Sequence, residues 1–421
     1  MTDSDLLAEA GRLIAAGRYD QALKLLAVSS APGRHRLLGA AFLGRRKAGP
    51  ALDHLRRALI EDPGDAETAL HLAQAHLTAL DAPAAVALLE ALQRRAPDLP
   101  DLAETLASAY RRDARYEEAL ELAERQARPS PSLLYERALS LLMLGRGADS
   151  LAGFDRLLAI APRHAAGWFW SHAPSLELQG WEEAEKRILA AAAIPGANRK
   201  YQAFLAAYDI LRFLPDPRPC PLAFRHLAEG AMAVRAFCPE APRLFGLPSH
   251  LLGWSLAEAK ADGLSCEFGV RRGNSIRLLA ATTTESLHGF DSFVGLPESW
   301  VKAPKGVLSA AGALPEVPPN VRLHPGWFAD SLPPFLAEHR QKLRFANIDC
   351  DIYSSTRTVL WALADRMQPG SVLVFDELIG NRSWKQDEYR ALCEFAAEFG
   401  WSYQALAVNL PGKQVAIVLG P

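Results

Sequence analysis

LRFANIDCDIYSSTRTVLWALADRMQPGSVLVFDE, residues 343–377, reads as strand, helix, strand. LRFANI is an apolar run that ends in the acidic Asp349-Cys350-Asp351. STRTVLWALADRM (355–367) has helical spacing, Pro369-Gly370 marks a turn, and SVLVFDE is a second apolar run that again ends acidic, at Asp376-Glu377. Two strands joined through a helix lie parallel in one sheet. Outward from this unit the alternation continues. Upstream stand LSCEFGV (264–270), the glycine turn and helix RRGNSIRLLAAT (271–282), ESLHGFD (285–291) and VRLHPGW (321–327). Downstream come the helix QDEYRALCEFAAEFG (386–400) and two strands, WSYQALAV (401–408) and KQVAIVLG (413–420), joined by NLPG. The pattern predicts a Rossmann-like, doubly wound parallel sheet closed by a C-terminal antiparallel hairpin. Ligands of such sheets bind at the carboxyl ends of the strands.

The first half of the chain has a different grammar. Prolines at 32, 63, 97, 129, 162 and 195 are 31 to 34 residues apart. Before each lies a similar phrase: GRYDQAL, KAGPALDHL, DAPAAVALL, ARYEEALEL, RGADSLAGF, GWEEAEKRI. Ala22, Ala51, Ala85, Ala119 and Ala184 recur at one position, with Ser150 in the fifth phrase. A small residue there lets two helices approach closely. The period and punctuation over residues 4–198 resemble the tetratricopeptide repeat. One repeat cannot bury its own apolar face, so stacking about six builds one core. Such an all-α solenoid serves either as packing or dimerisation surface or as a groove for a peptide or protein partner. KYQAFLAAYDILRFL (200–214) reads as its capping helix, DPRPCPL (216–222) as a linker, and LAFRHLAEGAMAVRAF as a leading helix. The expected division is a helical-repeat domain over 1–215, linker and leading helix over 216–246, and an α/β domain over 247–421.

Composition narrows the class. The 421 residues carry 46 Lys and Arg against 48 Asp and Glu, a net charge of −2, which argues against a nucleic-acid binder. The five cysteines are scattered without a CxxC pair, so neither a zinc knuckle nor a disulfide framework is indicated. MTDSDLLAEAGRL lacks a basic region and a continuous apolar core, and no apolar run approaches the roughly 20 residues that span a bilayer. These features predict a cytoplasmic protein without a membrane span, with homo-oligomerisation open.

EFGVRRGNS (267–275), HGFDSFVGLPESW (288–300), HPGWFADSLP (324–333), IDCDIYSST (348–356) and LVFDE (373–377) follow one another in order. Together they resemble the macrocin- and novobiocin-type sugar O-methyltransferases, S-adenosylmethionine-dependent enzymes of class I. The resemblance runs through nearly all of residues 247–421 and includes the terminal hairpin. It implies an S-adenosylmethionine site. Gly269 turns the backbone beside the cofactor, and Gly273-Asn274-Ser275 opens the following helix. Glu267 ends the first strand near the amino-acid or sulfonium end of the cofactor. Asp291 can accept the ribose hydroxyls or cap its own turn. Gly326-Trp327-Phe328 brings aromatics that sandwich adenine or fill core.

Asp349 and Asp351, two apart, point to one face if the strand continues through them. With Asp376 and Glu377 on the neighbouring strand, four carboxyl groups converge on one edge. Crowded carboxylates raise one another's pKa, and a hard divalent cation such as Mg²⁺ relieves that. Carried over by position from the resembling enzymes, Asp349, Asp376 and Glu377 are the metal ligands and Asp351 is the base. A metal acidifies a sugar hydroxyl and a carboxylate takes its proton, readying it for in-line attack on the sulfonium methyl. Two departures stand out: Glu377 where the family pair ends in Asp, and Cys350 where the motif has Gly. Cys350 reads as a buried strand residue. Asn381, Trp384 and Glu388 fall at the substrate rim, where Trp384 stacks on a sugar or fills core. The Pro- and Gly-rich segment 297–320 is a candidate lid. His288, His324 and Tyr353 read as structural. The expected acceptor is a sugar hydroxyl of a glycan or glycosylated product. The alternatives are a peptide or protein acceptor docked by the repeats, and an inactive repeat scaffold.

Overall fold

The computed structural model describes residues 2–300 and 304–420. It packs as two units, Met1–Glu136 with Leu296–Leu308, and Arg137–Gly295 with Ser309–Pro421. No helix among the described residues is long and apolar enough to cross a membrane.

The first unit consists of helix pairs: α1 (Asp3–Ala15) with α2 (Tyr19–Leu26), α3 (Arg34–Gly44) with α4 (Ala48–Glu61), α5 (Ala66–Thr78) with α6 (Ala82–Arg95), and α7 (Leu102–Arg112) with α8 (Tyr116–Glu124). Side-chain oxygens start several of them. Thr2 caps α1, and Asp65 caps α5 by accepting from the Glu67 and Thr68 amides. The recurring alanines sit where the helices meet, and Ala22, Ala51, Ala85 and Ala119 are fully buried. Gly39 shows the same constraint, since a Cβ there would lie 2.4 Å from Cγ of Leu55. The apolar contacts form a series of local clusters. Ala10, Leu26 and Leu37 make one, Ala51, Leu55 and Leu72 the next, and Leu70, Leu89 and Leu106 a third.

α9 (Pro131–Met143) begins in the first unit and ends in the second. With α10 (Gly147–Ile160), then α11 (Ala165–Gln179) and α12 (Trp181–Ala193), the second unit continues the repeat pattern. Ser150 holds the alanine position because its hydroxyl donates to the Ala138 carbonyl at 2.8 Å, so its polarity is satisfied inside the packing. α13 (Lys200–Leu211) is not a solvent-facing cap. Tyr201, Leu205, Tyr208 and Leu211 are all buried, and a helix apolar on every side belongs inside a core. The Pro-rich stretch after it is tied down, with Arg218 bridging Asp209 (Nε to Oδ2, 2.9 Å) and Glu185.

After α14 (Arg225–Ala236) come β1 (Arg243–Leu244), α15 (Pro248–Glu258), β2 (Leu264–Phe268), α16 (Asn274–Ala280), β3 (Leu287–Asp291), β4 (Val321–Pro325) and α17 (Phe328–Glu338). β5 (Leu343–Ile348), α18 (Tyr353–Ala362), β6 (Val372–Phe375), α19 (Glu388–Phe399), β7 (Ser402–Asn409) and β8 (Gln414–Gly420) follow. They form one sheet in the order β1-β7-β8-β6-β5-β2-β3-β4. β2 to β6 run parallel, and β8 lies antiparallel to both β6 and β7. This is the doubly wound sheet with a terminal hairpin that the sequence predicts. β2 and β6 are buried along their whole length, as central parallel strands must be. Neither β1 nor α17 announces itself in the sequence. β1 is only two residues long, and α17 carries Pro333 and Pro334 inside it. A single apolar cluster holds Phe169 and Ile188 of the repeat helices, Tyr208 of α13, and Phe268, Ile348 and Phe375 of the sheet.

Candidate functional site

The carboxyl ends of β2, β3, β5 and β6 bring the predicted acidic residues together. Gly269 follows β2 with φ at +105°, and a Cβ on it would sit 1.9 Å from the Asp349 carbonyl oxygen. Only glycine lets the β2 and β5 ends approach so closely. Gly273 (φ +78°) is the N-cap of α16 and turns the chain into that helix. Ser275 donates to Glu267 Oε1 at 2.8 Å, and the Asn347 amide donates to Oε2 at 3.3 Å. Burial nonetheless pushes the Glu267 carboxyl up to about 8, helped by the charges of Asp376 and Asp291. Asn274 is turned to Arg277, whose guanidinium donates to its Oδ1 at 2.6 Å. Asp291 accepts the backbone N–H of Arg271 at 2.7 Å and of Phe293 at 2.6 Å. Oδ1 thus shapes the turn after β3, and Oδ2 ties that turn to the loop after β2. Burial outweighs those bonds and raises its pKa.

The two aromatics after β4 part company. Phe328 meets Phe268 edge-on at 5.9 Å, as core, whereas Trp327 is 39% exposed. Gly326 donates its N–H to the Asp291 carbonyl at 2.9 Å and holds the β3 and β4 ends side by side.

Asp349 and Asp351 meet the other carboxylates by a different route from the strand alternation predicted for them. β5 ends at Ile348, and Asp351 has left-handed backbone with φ at +61°. The turn carries the Asp351 carboxyl back to Asp376 and Glu377. Burial raises its pKa well above the usual range, followed by repulsion from those two. Asp349 is likewise pushed well up by burial, then by Asp376 and Asp351. Asp376 is raised to about 6 by burial and by Glu377, while Gln414, donating to Oδ1 at 2.6 Å, pulls it back.

Glu377 differs from the metal-ligand reading. Lys413 holds its Oε1 at 2.7 Å and the Asn381 amide donates to Oε2. Among the described residues no three His, Cys, Asp or Glu are grouped to hold a metal ion. The set Asp349, Asp376 and Glu377 therefore does not fit Mg²⁺ as it stands. Positive charge reaches this edge through the Lys413 ammonium, which draws down Asp351 and Asp376.

Two rim assignments are corrected by burial, Glu388 and Trp384. Glu388 is wholly buried, and accepts the backbone N–H of Cys350 at 3.2 Å and of Glu377 at 3.1 Å, joining the loops after β5 and β6. Trp384 is buried and packs edge-on to Tyr389 at 4.6 Å, so it stacks on no sugar. Asn381 serves Glu377. Cys350 is buried with its thiol pushed well up by burial, which makes it inert. His288 and His324 bond each other at 3.1 Å, and Tyr353 donates to Glu394 on the helix surface. Within the candidate lid, 301–303 lie outside the described residues, and the described residues of 297–308 belong to the first unit.

Beside Asp376 opens a cavity of about 500 Å³ that sequence reasoning missed. Lys413 and Gln414 of the final hairpin line it, as do Phe169 and Trp170 of α11 and Lys200 and Phe204 of α13. No local motif marks these residues, because they come together only through the fold.

No curated protein shows significant sequence similarity to the chain. Among solved structures, it is similar to the O-methyltransferase NovP, at 19% identity and TM-score 0.32, over 41% of this chain and 79% of that one. It is similar to the calicheamicin methyltransferase CalS11 at 20% identity and TM-score 0.33, over 54% and 95%. TTC0263, a thermophilic tetratricopeptide-repeat protein of Thermus thermophilus, matches at 20% identity and TM-score 0.34, over 42% and 100%. Residues 266–378, from β2 to just past β6, match the family model described as a methyltransferase domain. Residues 266–378 of this chain thus carry a methyltransferase domain, preceded by a repeating series of paired helices.

Proposed function

We propose that the chain is an S-adenosylmethionine-dependent O-methyltransferase acting on a sugar hydroxyl, with Asp351 as the general base. The observation that carries this reading is the gathering of Glu267, Asp349, Asp351 and Asp376 at the strand ends, next to a cavity, inside the region that matches a methyltransferase domain. When bound, S-adenosylmethionine supplies an electrophilic methyl group on a positively charged sulfur. The crowded carboxylates suit such a cation, because a positive charge among them lowers their raised pKa values. Glu267, Gly269, Gly273, Asn274, Ser275, Asp291, Gly326, Trp327 and Phe328 are its proposed frame, Asn274 and Phe328 acting through the loops they hold. Asp351 orients the acceptor hydroxyl and takes its proton as the oxygen–methyl bond forms and the sulfur–methyl bond breaks. The products are a methyl ether and S-adenosylhomocysteine. No step is routed through a metal ion. The sequence division is kept as a division of labour: 1–215 for partner and acceptor contacts, 216–246 as connection, 247–421 for methyl transfer.

Asp351→Asn preserves shape and tolerates the left-handed backbone. It is expected to lower turnover by about 10²- to 10⁴-fold while calorimetry shows S-adenosylmethionine binding unchanged within a few-fold. Turnover is also expected to persist in EDTA. Failure of the unmodified chain to bind S-adenosylmethionine would sink the proposal.

A peptide or protein acceptor is the second reading. It is favoured by a groove of about 430 Å³ on the first unit, lined by Arg46, Gln74, Glu104 and Arg112. Arg46→Glu and Arg112→Glu would then abolish methylation, whereas for a small glycoside they change nothing.

A further inference from the structure

The cavity beside Asp376 has two chemically distinct parts. Its walls are apolar and largely aromatic: Met143, Trp170, Phe204, Phe224 and Leu410. Its charged lining residues are Lys200, Arg382, Lys413 and Asp376, with His226 beside them. Three cations thus face one carboxylate. Lys413 is already paired with Glu377, and Asp376 is bonded by Gln414. Lys200 and Arg382 have no such partner among the described residues. The Lys200 ammonium stands 5.1 Å over the Phe169 ring and 5.6 Å over Tyr201, held by aromatic faces. Burial lowers its pKa, and no carboxylate among the described residues offsets that loss. Burial lowers the pKa of His226, followed by the charge of the exposed Arg382, while Glu229 opposes them.

A half-buried ammonium without a counter-ion costs solvation free energy that a bound anion can return. Aromatic walls offer faces to a sugar ring or an aryl group. We propose that this cavity is the acceptor site, and that it takes a glycoside with an apolar or aryl body and one anionic group, a carboxylate or a phosphate, recognised by Lys200 and Arg382. This rests on the methyltransferase reading, with the acceptor hydroxyl directed toward Asp376 and Asp351. It makes the last repeat helices part of the acceptor site itself.

The test is equilibrium binding to the full chain at low salt, read by calorimetry. The probes are p-nitrophenyl glucuronide, p-nitrophenyl glucoside 6-phosphate and the neutral p-nitrophenyl glucoside. At least one anionic probe is expected to bind about tenfold or more tightly than the neutral one, and which one identifies carboxylate or phosphate as the group. Lys200→Gln and Arg382→Gln are each expected to reduce that ratio several-fold, while Lys200→Arg, which keeps the charge and checks folding, retains it. Equal binding of all three probes, or a ratio unmoved by Lys200→Gln and Arg382→Gln together, overturns the proposal. S-adenosylmethionine binding is measured on the same samples. Its presence without anion preference overturns the acceptor class alone, and its absence with preference intact overturns the methyltransferase reading while supporting the anion site.

Discussion

The helices before and after Glu136 share one sequence grammar but are stabilised differently. In the first unit, apolar contacts close within neighbouring helix pairs, so that Leu55 belongs to a small cluster with Ala51, Leu72 and Ala75. In the second, Phe169 of α11 and Ile188 of α12 belong to the same cluster as Phe268, Ile348 and Phe375 of the sheet. A repeat array is quasi-one-dimensional, and each element answers chiefly to its neighbours. Once its last members fuse with a sheet, they answer to the whole unit. Repeat periodicity therefore identifies local geometry, while the packing decides which residues fail together.

The largest expected effect that separates the two regions is that of Phe169→Ala. It removes a ring stacked on Tyr201 at 4.7 Å and should cost about 3–5 kcal/mol. Hydrogen exchange should rise in α11 and α13 and also in β5 and β6. Leu55→Ala should cost about 2–5 kcal/mol, with faster exchange limited to α3, α4 and α5. Equal spreading from both sites would break the comparison.

Acid should sharpen it next. His172 is wholly buried; its Nδ1–H donates to the Phe169 carbonyl and its Nε2 accepts from the Tyr208 hydroxyl at 3.1 Å. Burial lowers its pKa to about 4 from 6.5. The unfolded chain therefore takes up the proton first. The contribution of neutral His172 is complete above about pH 6.5 and is lost as the pH falls toward 4. Across that window the unmodified protein should lose about 3 kcal/mol more than His172→Gln, compared by denaturant titration at each pH. Parallel pH profiles would mean that His172 takes up its proton equally in both states.

The smallest effect belongs to the first unit. Gly39→Ala places a methyl group against Leu55, and overpacking of that kind costs about 1–3 kcal/mol. Thermal melting should show a modest loss, relieved when Leu55→Ala is added. Additive losses would show that the two sites do not share their space.

Much of this was legible in the sequence because it depends on local signals. The proline spacing and recurring alanines mark the repeats, and 343–377 with its flanking segments marks the sheet. The acidic residues at the strand ends could be foreseen to meet, although strand alternation was the wrong reason for Asp351. What was not legible depends on distant segments. Lys413 is invisible as the partner of Glu377 until the hairpin folds back beside β6. Trp384 and Glu388 look like rim residues in a polar stretch, and only the packing of α19 buries them. The cavity gathers α11, α13 and the last turn, separated by more than two hundred residues of chain between Phe169 and Lys413.

The bonds from Glu388 have one more consequence. They go to main-chain N–H groups of Cys350 and Glu377, which every residue except proline possesses. The two active-edge loops are therefore anchored without regard to the side chains they display. Such a mount lets the side chains at positions 350 and 377 be changed while the frame stays put, as a workbench keeps its vice when the tool is changed. Cys350 and Glu377 can then be replaced without losing these bonds, and the same tolerance makes this edge a good starting point for redesign.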